Sequence, residues 1–249
     1  MGARTYFVMM RLPVVAILSL CFSSLTFAID FTEKNLGTLN PDGAVAYSEE
    51  DYTKAYPYIL RDANKGNTFA MTIVGSMLEQ RQGVPRDEVA ANRWYLKAIA
   101  LGDAEAMAML GHNLAYGVGI PRNYRTAMKF LTEAVVRGNK SAMYTLGQMF
   151  AKGEGVQQDA LQASTWYRAC ATRGEILCML SLGYLLESDQ NEQQDLVTAY
   201  AWFDIAAAKR MSISSVAAAR RDAIASRLSP DELAKAQKLS KTTPLYTSP

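Results

Sequence analysis

Histidine is almost missing from this chain. Its 249 residues include one, His112. A single imidazole excludes a His-rich metal site and a paired-His proton relay. A Ser-His-Asp triad would have to use His112, and no Gly-x-Ser-x-Gly elbow accompanies it. No Walker-type phosphate loop is present. Cysteine is scarce, with three residues, which excludes a cysteine-rich scaffold. Net charge is also nearly missing, with 26 Lys and Arg against 24 Asp and Glu. Arg4 and Arg11 fall in the first 28 residues, which hold no acid, so the rest of the chain carries 24 of each sign. A neutral chain without a basic run is a poor nucleic-acid binder and has no patch for anionic lipid. No cofactor is expected.

Long hydrophobic runs are lacking too. The apolar stretch from Leu12 to Phe22 falls short of the roughly 20 apolar residues of a membrane span. It follows Arg4 and Arg11 and precedes Thr26-Phe27-Ala28, the layout of a secretory signal with small residues at the cleavage site. We expect residues 1–28 to be removed, with export to a bacterial periplasm and no membrane insertion afterwards. Met9 or Met10 is an alternative start. Leu18-Ser19-Leu20-Cys21 is a weak lipoprotein box, and an uncleaved anchor is a further alternative. Cys21 leaves with the signal, so Cys170 and Cys178 remain. An even pair in an exported chain suggests a disulfide; two small buried thiols in a helical core are the other reading.

What is abundant is repetition. Gly75, Gly111, Gly147 and Gly183 are spaced by 36 residues, as are Met71, Met107, Met143 and Met179. Trp94, Phe130, Trp166 and Trp202 keep the same step, with Ala91, Ala127, Ala163 and Ala199. Such a period marks a solenoid of units that each need a neighbour to bury their apolar face. Each unit reads as two helices. Met71, Val74, Gly75 and Leu78 lie at i, i+3, i+4 and i+7, and the later units copy them. A helical Gly costs about 1 kcal/mol against Ala, so its repetition calls for close packing by the paired helix. Gly117-Val118-Gly119 and Gly153-Glu154-Gly155 are turns between the helices. Asp87, Asn123, Asp159 and Asp195 then read as N-caps, and Gly102, Gly138 and Gly174 as helix ends. The methionine ladder shares the Leu-Gly face, so core packing is favoured over a copper or adaptable binding surface.

We therefore expect an N-terminal extended segment over 29–47, including a Pro41-Asp42-Gly43 turn. A lone capping helix kinked at Pro57 is expected over 48–66. Four repeats span 67–102, 103–138, 139–174 and 175–210. Capping helices follow over 211–241, with a tail over 242–249. Ser229-Pro230-Asp231-Glu232 starts the last helix.

Ala142, Leu146-Gly147, Phe150, Gly153-Glu154-Gly155-Val156, Asp159, Ala163, Trp166-Tyr167 and Gly174 together resemble the Sel-1-like repeat pattern, and the likeness extends over residues 51–210. The resemblance implies an all-α, right-handed α/α superhelical solenoid of about four 36-residue helix pairs with capping helices. It also implies a role as an adaptor rather than an enzyme. Cys170 and Cys178 stand where sibling units carry Ala. This is similar to the cysteine-rich branch of the family, whose bridges tie a second helix to the next first helix. Only one such pair exists here, so the bridge is carried over and that branch's beta-lactam binding is not.

If the second helices form the outside, the first helices line an inner groove. By phase its candidates are Phe69, Thr72, Ser76 and Glu79, then Ala108, His112, Ala115 and Tyr116, then Tyr144, Gln148 and Lys152, and finally Leu180, Tyr184 and Glu187. These vary between units while the framework repeats, which suits a specific protein interface. The expected partner is another protein, either an envelope protein or a secreted toxin, bound by a chain monomeric beforehand. Similar exported members serve as immunity proteins against phospholipase-type toxins, as regulators of sensor kinases and as envelope assembly factors. The small chain without a second functional domain favours immunity or inhibition. The alternatives are a cell-wall or beta-lactam ligand binder or enzyme, and a structural homo-oligomer.

Overall fold

A computed structural model describes residues 37–188, 195–209, 211 and 213–245. Residues 1–36, which include the expected signal segment, and residues 189–194, 210, 212 and 246–249 lie outside them. The described residues form twelve α-helices and no strand. They are α1 (Pro41–Ser48), α2 (Tyr52–Asn64), α3 (Thr68–Gln80), α4 (Glu88–Ala100), α5 (Ala104–Tyr116), α6 (Tyr124–Val136), α7 (Lys140–Lys152), α8 (Ala160–Ala171), α9 (Ile176–Glu187), α10 (Leu196–Ala207), α11 (Ser214–Ala225) and α12 (Pro230–Thr242). Consecutive helices pack in antiparallel-pair order from α1 to α10, and each pair's second helix packs on the next pair's first. No described helix is long and apolar enough to cross a membrane.

The caps act as the sequence implies. Asp87, Asn123, Asp159 and Asp195 each accept a hydrogen bond from the backbone N–H three residues on. Asn67, Asp103 and Asn139 do the same for the first helices. Ser229 and Glu232 form a reciprocal capping box. The helical glycines also have their reason. A Cβ on Gly75 would sit 2.5 Å from the ring of Tyr95, and one on Gly147 2.5 Å from that of Tyr167. Leu131 and Phe203 cover Gly111 and Gly183 in the same way. The paired helix thus lays a large buried side chain directly on the glycine backbone. The four laddered methionines are buried core residues.

The loop glycines carry the stacking between units. Gly83, Gly119 and Gly155 all have positive φ, at +70°, +61° and +75°. A side chain on them would strike Tyr52, Glu88 and Tyr124, the first residues of the preceding second helices. Arg81 stands where Gly117 and Gly153 end their helices, and it adopts the same left-handed backbone at φ 61°.

Two expectations need correction. Residues 41–48 are a helix, not an extended segment, and α2 is not a lone helix because α1 pairs with it. Asn40 accepts from the N–H groups of Asp42 and Gly43, and Pro41 occupies the first turn, where its missing N–H costs nothing. The connection to α2 is only Glu49 to Asp51, against Arg81 to Asp87 in the next unit. The shorter connection takes this pair out of the 36-residue register. At the other end, α11 and α12 both pack on α10.

Cys170 on α8 and Cys178 on α9 form a disulfide with Cα atoms 5.9 Å apart, bridging repeats three and four across Gly174. Both cysteines are fully buried. The buried core has two clusters. One runs from Leu39 to Met149 and the other from Met143 to Ala236, so both use α7.

Candidate protein-binding face

The first helices lie inside and the second helices outside. From Ala70 to Leu78 every residue of α3 is buried, whereas α4 exposes Val89, Leu96 and Lys97. Helical phase identifies which inner residues leave their own pair's core. It does not reveal which of them meet the next inner helix, and that difference divides the fourteen groove candidates.

Seven of them are buried within the chain. Thr72 is fully enclosed, and its hydroxyl donates to Asp103, the cap of the next inner helix, at 3.2 Å. Ser76, Ala108, Ala115 and Leu180 are also buried. Tyr144 packs its ring 6.0 Å from that of Tyr167. Tyr184 meets Phe203 edge-on at 5.2 Å and is covered by the guanidinium of Arg220 at 5.1 Å. Glu187 takes ion pairs from Arg220 and Arg227, at 3.6 and 3.1 Å. The C-terminal end of the expected groove is therefore occupied by α11. The seven buried positions are enclosed by the chain itself and do not present a surface.

Phe69 remains half-buried at the N-terminal end. In the middle of the stack, His112, Tyr116, Gln148 and Lys152 come together. The Tyr116 hydroxyl donates to Gln148 Oε1 at 3.4 Å, and Gln148 Nε2 donates to the Tyr144 hydroxyl at 3.1 Å. His112 and Tyr116 rings are 4.6 Å apart. Exposed Lys152 places Nζ 5.3 Å from the Tyr116 ring centre, a cation–π distance. Burial, and then the charge of Lys152, push His112 down to about 4, so it is neutral at neutral pH. Burial and the adjacent Glu154 carboxylate raise Tyr116, which stays a neutral donor. The result is an aromatic, amide-bearing row with one cation at its rim, suited to recognition.

Glu79 belongs to a second cluster that sequence reasoning did not assemble. Its Oε2 accepts from the Tyr95 hydroxyl at 2.9 Å and from Asn113 Nδ2 at 3.2 Å. Asn113 also donates to Asn92 Oδ1 at 2.9 Å, and Asn92 donates to the Val118 carbonyl at 2.8 Å. Burial raises the Glu79 carboxyl even though these two donors work in the opposite direction. A sequence signal for Asn113 existed: it stands where sibling units carry Met77 and Met149. A cavity of about 420 Å³ lies elsewhere, lined by Met128, Phe150, Gln158, Gln162 and Trp166 among others. No group of three or more His, Cys, Asp or Glu able to hold a metal occurs among the described residues.

The Sel1 repeat model matches residues 68–103, 104–138, 140–175 and 176–210, more than half of the chain. The chain belongs to the Sel1 repeat family. Its all-α solenoid is shared with solved structures. One is a protective antigen present in uropathogenic Escherichia coli strains, displaying an SLR fold. That comparison gives 28% identity and a TM-score of 0.67 over 76% of this chain, which spans only 40% of that protein. A Sel1 repeat protein from Oxalobacter formigenes is similar in fold, with 24% identity and a TM-score of 0.60 over 84% of this chain and 83% of that one. No curated protein matches the sequence. Sel1 repeat proteins are generally protein–protein interaction adaptors and typically non-enzymatic scaffolds, which agrees with an inner face built for contact.

Proposed function

We propose that this Sel1 repeat protein is an exported adaptor that binds one protein partner across the inner face of repeats two and three. The carrying observation is the row of His112, Tyr116, Gln148 and Lys152, linked across α5 and α7 with an exposed ammonium at its edge. Tyrosines held rigidly by neighbours lose little side-chain entropy on binding, which favours them as interface anchors. The disulfide supports an oxidising compartment such as the periplasm. Within that compartment the reading is an immunity or inhibitory protein for a secreted phospholipase-type toxin, or a regulator of an envelope signalling or assembly complex.

Affinity capture from the native periplasm tests this, with wild type, Lys152→Glu and Leu161→Glu as baits. Leu161 is an outer-helix residue 76% exposed, so its variant controls for surface charge. The reading expects one dominant partner, retained by Leu161→Glu and weakened at least tenfold by Lys152→Glu. A partner lost only with Leu161→Glu would move the interface to the outer helices and contradict it.

A further inference from the structure

The Glu79 cluster is rich in acceptors and poor in donors. Both donors that reach the carboxylate converge on Oε2. Oε1 accepts no hydrogen bond within the chain and keeps some contact with solvent, so the carboxylate is held through one oxygen only. Behind it, Asn113 spends its donors on Glu79 and Asn92, while its buried Oδ1 has no hydrogen-bond partner. That second acceptor belongs to the same amide group, so it lies within a few ångströms of Glu79. Arg86, a cation of this chain whose charge reaches Glu79, makes its ion pair with Glu88 instead. A half-buried carboxylate whose second oxygen lacks a donor is stabilised by a cation brought to that oxygen.

We propose that Glu79, backed by Asn113 and Asn92, is the seat for a lysine or arginine side chain of the protein partner. The proposal rests on the inner-face binding reading above and gives the partner its chemistry: a cation here, one repeat before the Lys152 rim. A neutral side chain of the same shape could donate hydrogen bonds but would bring no positive charge to the carboxylate.

The probe is N-acetyl-arginine amide, with N-acetyl-citrulline amide as its neutral isostere. Both are titrated into the oxidised protein while the side-chain amide NMR signals of Asn113 and Asn92 are followed. Saturable shifts are expected with the arginine compound, at least tenfold weaker with citrulline, and absent in Glu79→Gln. Equal response to the two compounds, or none to arginine, overturns the seat. The citrulline comparison is made on wild type, so it decides the matter whatever the stability of the variant. Arginine binding at Glu79 together with failed capture of any partner would retain the seat and defeat the adaptor reading. Capture through Lys152 with no arginine response would do the reverse.

Discussion

The two core clusters that meet on α7 are closed by different chemistry. In the N-terminal one, units are stacked by glycine: Gly83 and Gly119 press their backbone against the start of the preceding second helix. The C-terminal one ties α8 to α9 through Cys170 and Cys178 and fixes α11 with ion pairs from Arg220 to Glu187 and from Arg221 to Asp204. Glycine contacts need an unbroken register, because each loop must reach one particular residue of its neighbour. A covalent bridge and surface ion pairs tolerate the drift that comes at the end of an array, where Glu187 to Asn191 has no glycine. The same fold is thus maintained by exact spacing in one half and by crosslinks in the other.

Breaking the bridge is expected to have the largest effect. Replacing both Cys170 and Cys178 with Ala, the residue their siblings carry, removes about 2.5 kcal/mol in the chain-entropy account. Hydrogen exchange should quicken in α9 and α10 while α3 and α4 keep wild-type rates. Equal acceleration in both halves would erase the distinction between them.

Gly147→Ala tests packing on the shared helix. The added methyl would lie 2.5 Å from Tyr167, whose ring is itself buried, so overpacking outweighs the better helix propensity of Ala. A net loss of about 2 kcal/mol is expected in denaturant unfolding. A stabilised Gly147→Ala would show that the glycine is not there for close approach.

The inner face supplies a pH signature. His112 is held near 4, below its ordinary value near 6.5, so acid protonates the unfolded chain first. Its contribution is fully present above pH 6.5 and falls away as pH drops toward 4. By pH 5.5 this amounts to about 1.5 kcal/mol. Glu79 acts in the opposite sense, because its raised carboxyl favours the folded state as pH falls. Comparing urea midpoints at pH 7.5 and 5.5, His112→Gln should flatten the acid loss. An unchanged slope in His112→Gln would mean that the imidazole is not held neutral.

The smallest change is a gain. Arg81 adopts a left-handed backbone that its siblings give to glycine, so Arg81→Gly should add about 1 kcal/mol. A loss there would mean that the Arg81 side chain contributes more than its backbone costs.

Much of this was legible in the residues. Period, caps and helical glycines all follow from the 36-residue step, because identical residues at identical phase meet identical neighbours, whereas the bridge is expected from an even cysteine pair and from the family resemblance. α1 escaped because its three-residue connection breaks that step. The groove was only half legible. Phase shows that Thr72 leaves its own pair but not that Asp103, the cap of the next inner helix, receives it. Arg220 stands 36 residues after Tyr184, yet its cover over that ring depends on where α11 sits. Asn113 was visible as a polar residue in a methionine position, and its meaning required Glu79 and Asn92 beside it.

The most direct test of the inner face is photocrosslinking in living cells, with a photoreactive residue placed at position 152 or at position 161. The account predicts a single protein adduct from 152 and none from 161. An adduct from 161 alone would put the partner on the outer helices and contradict it.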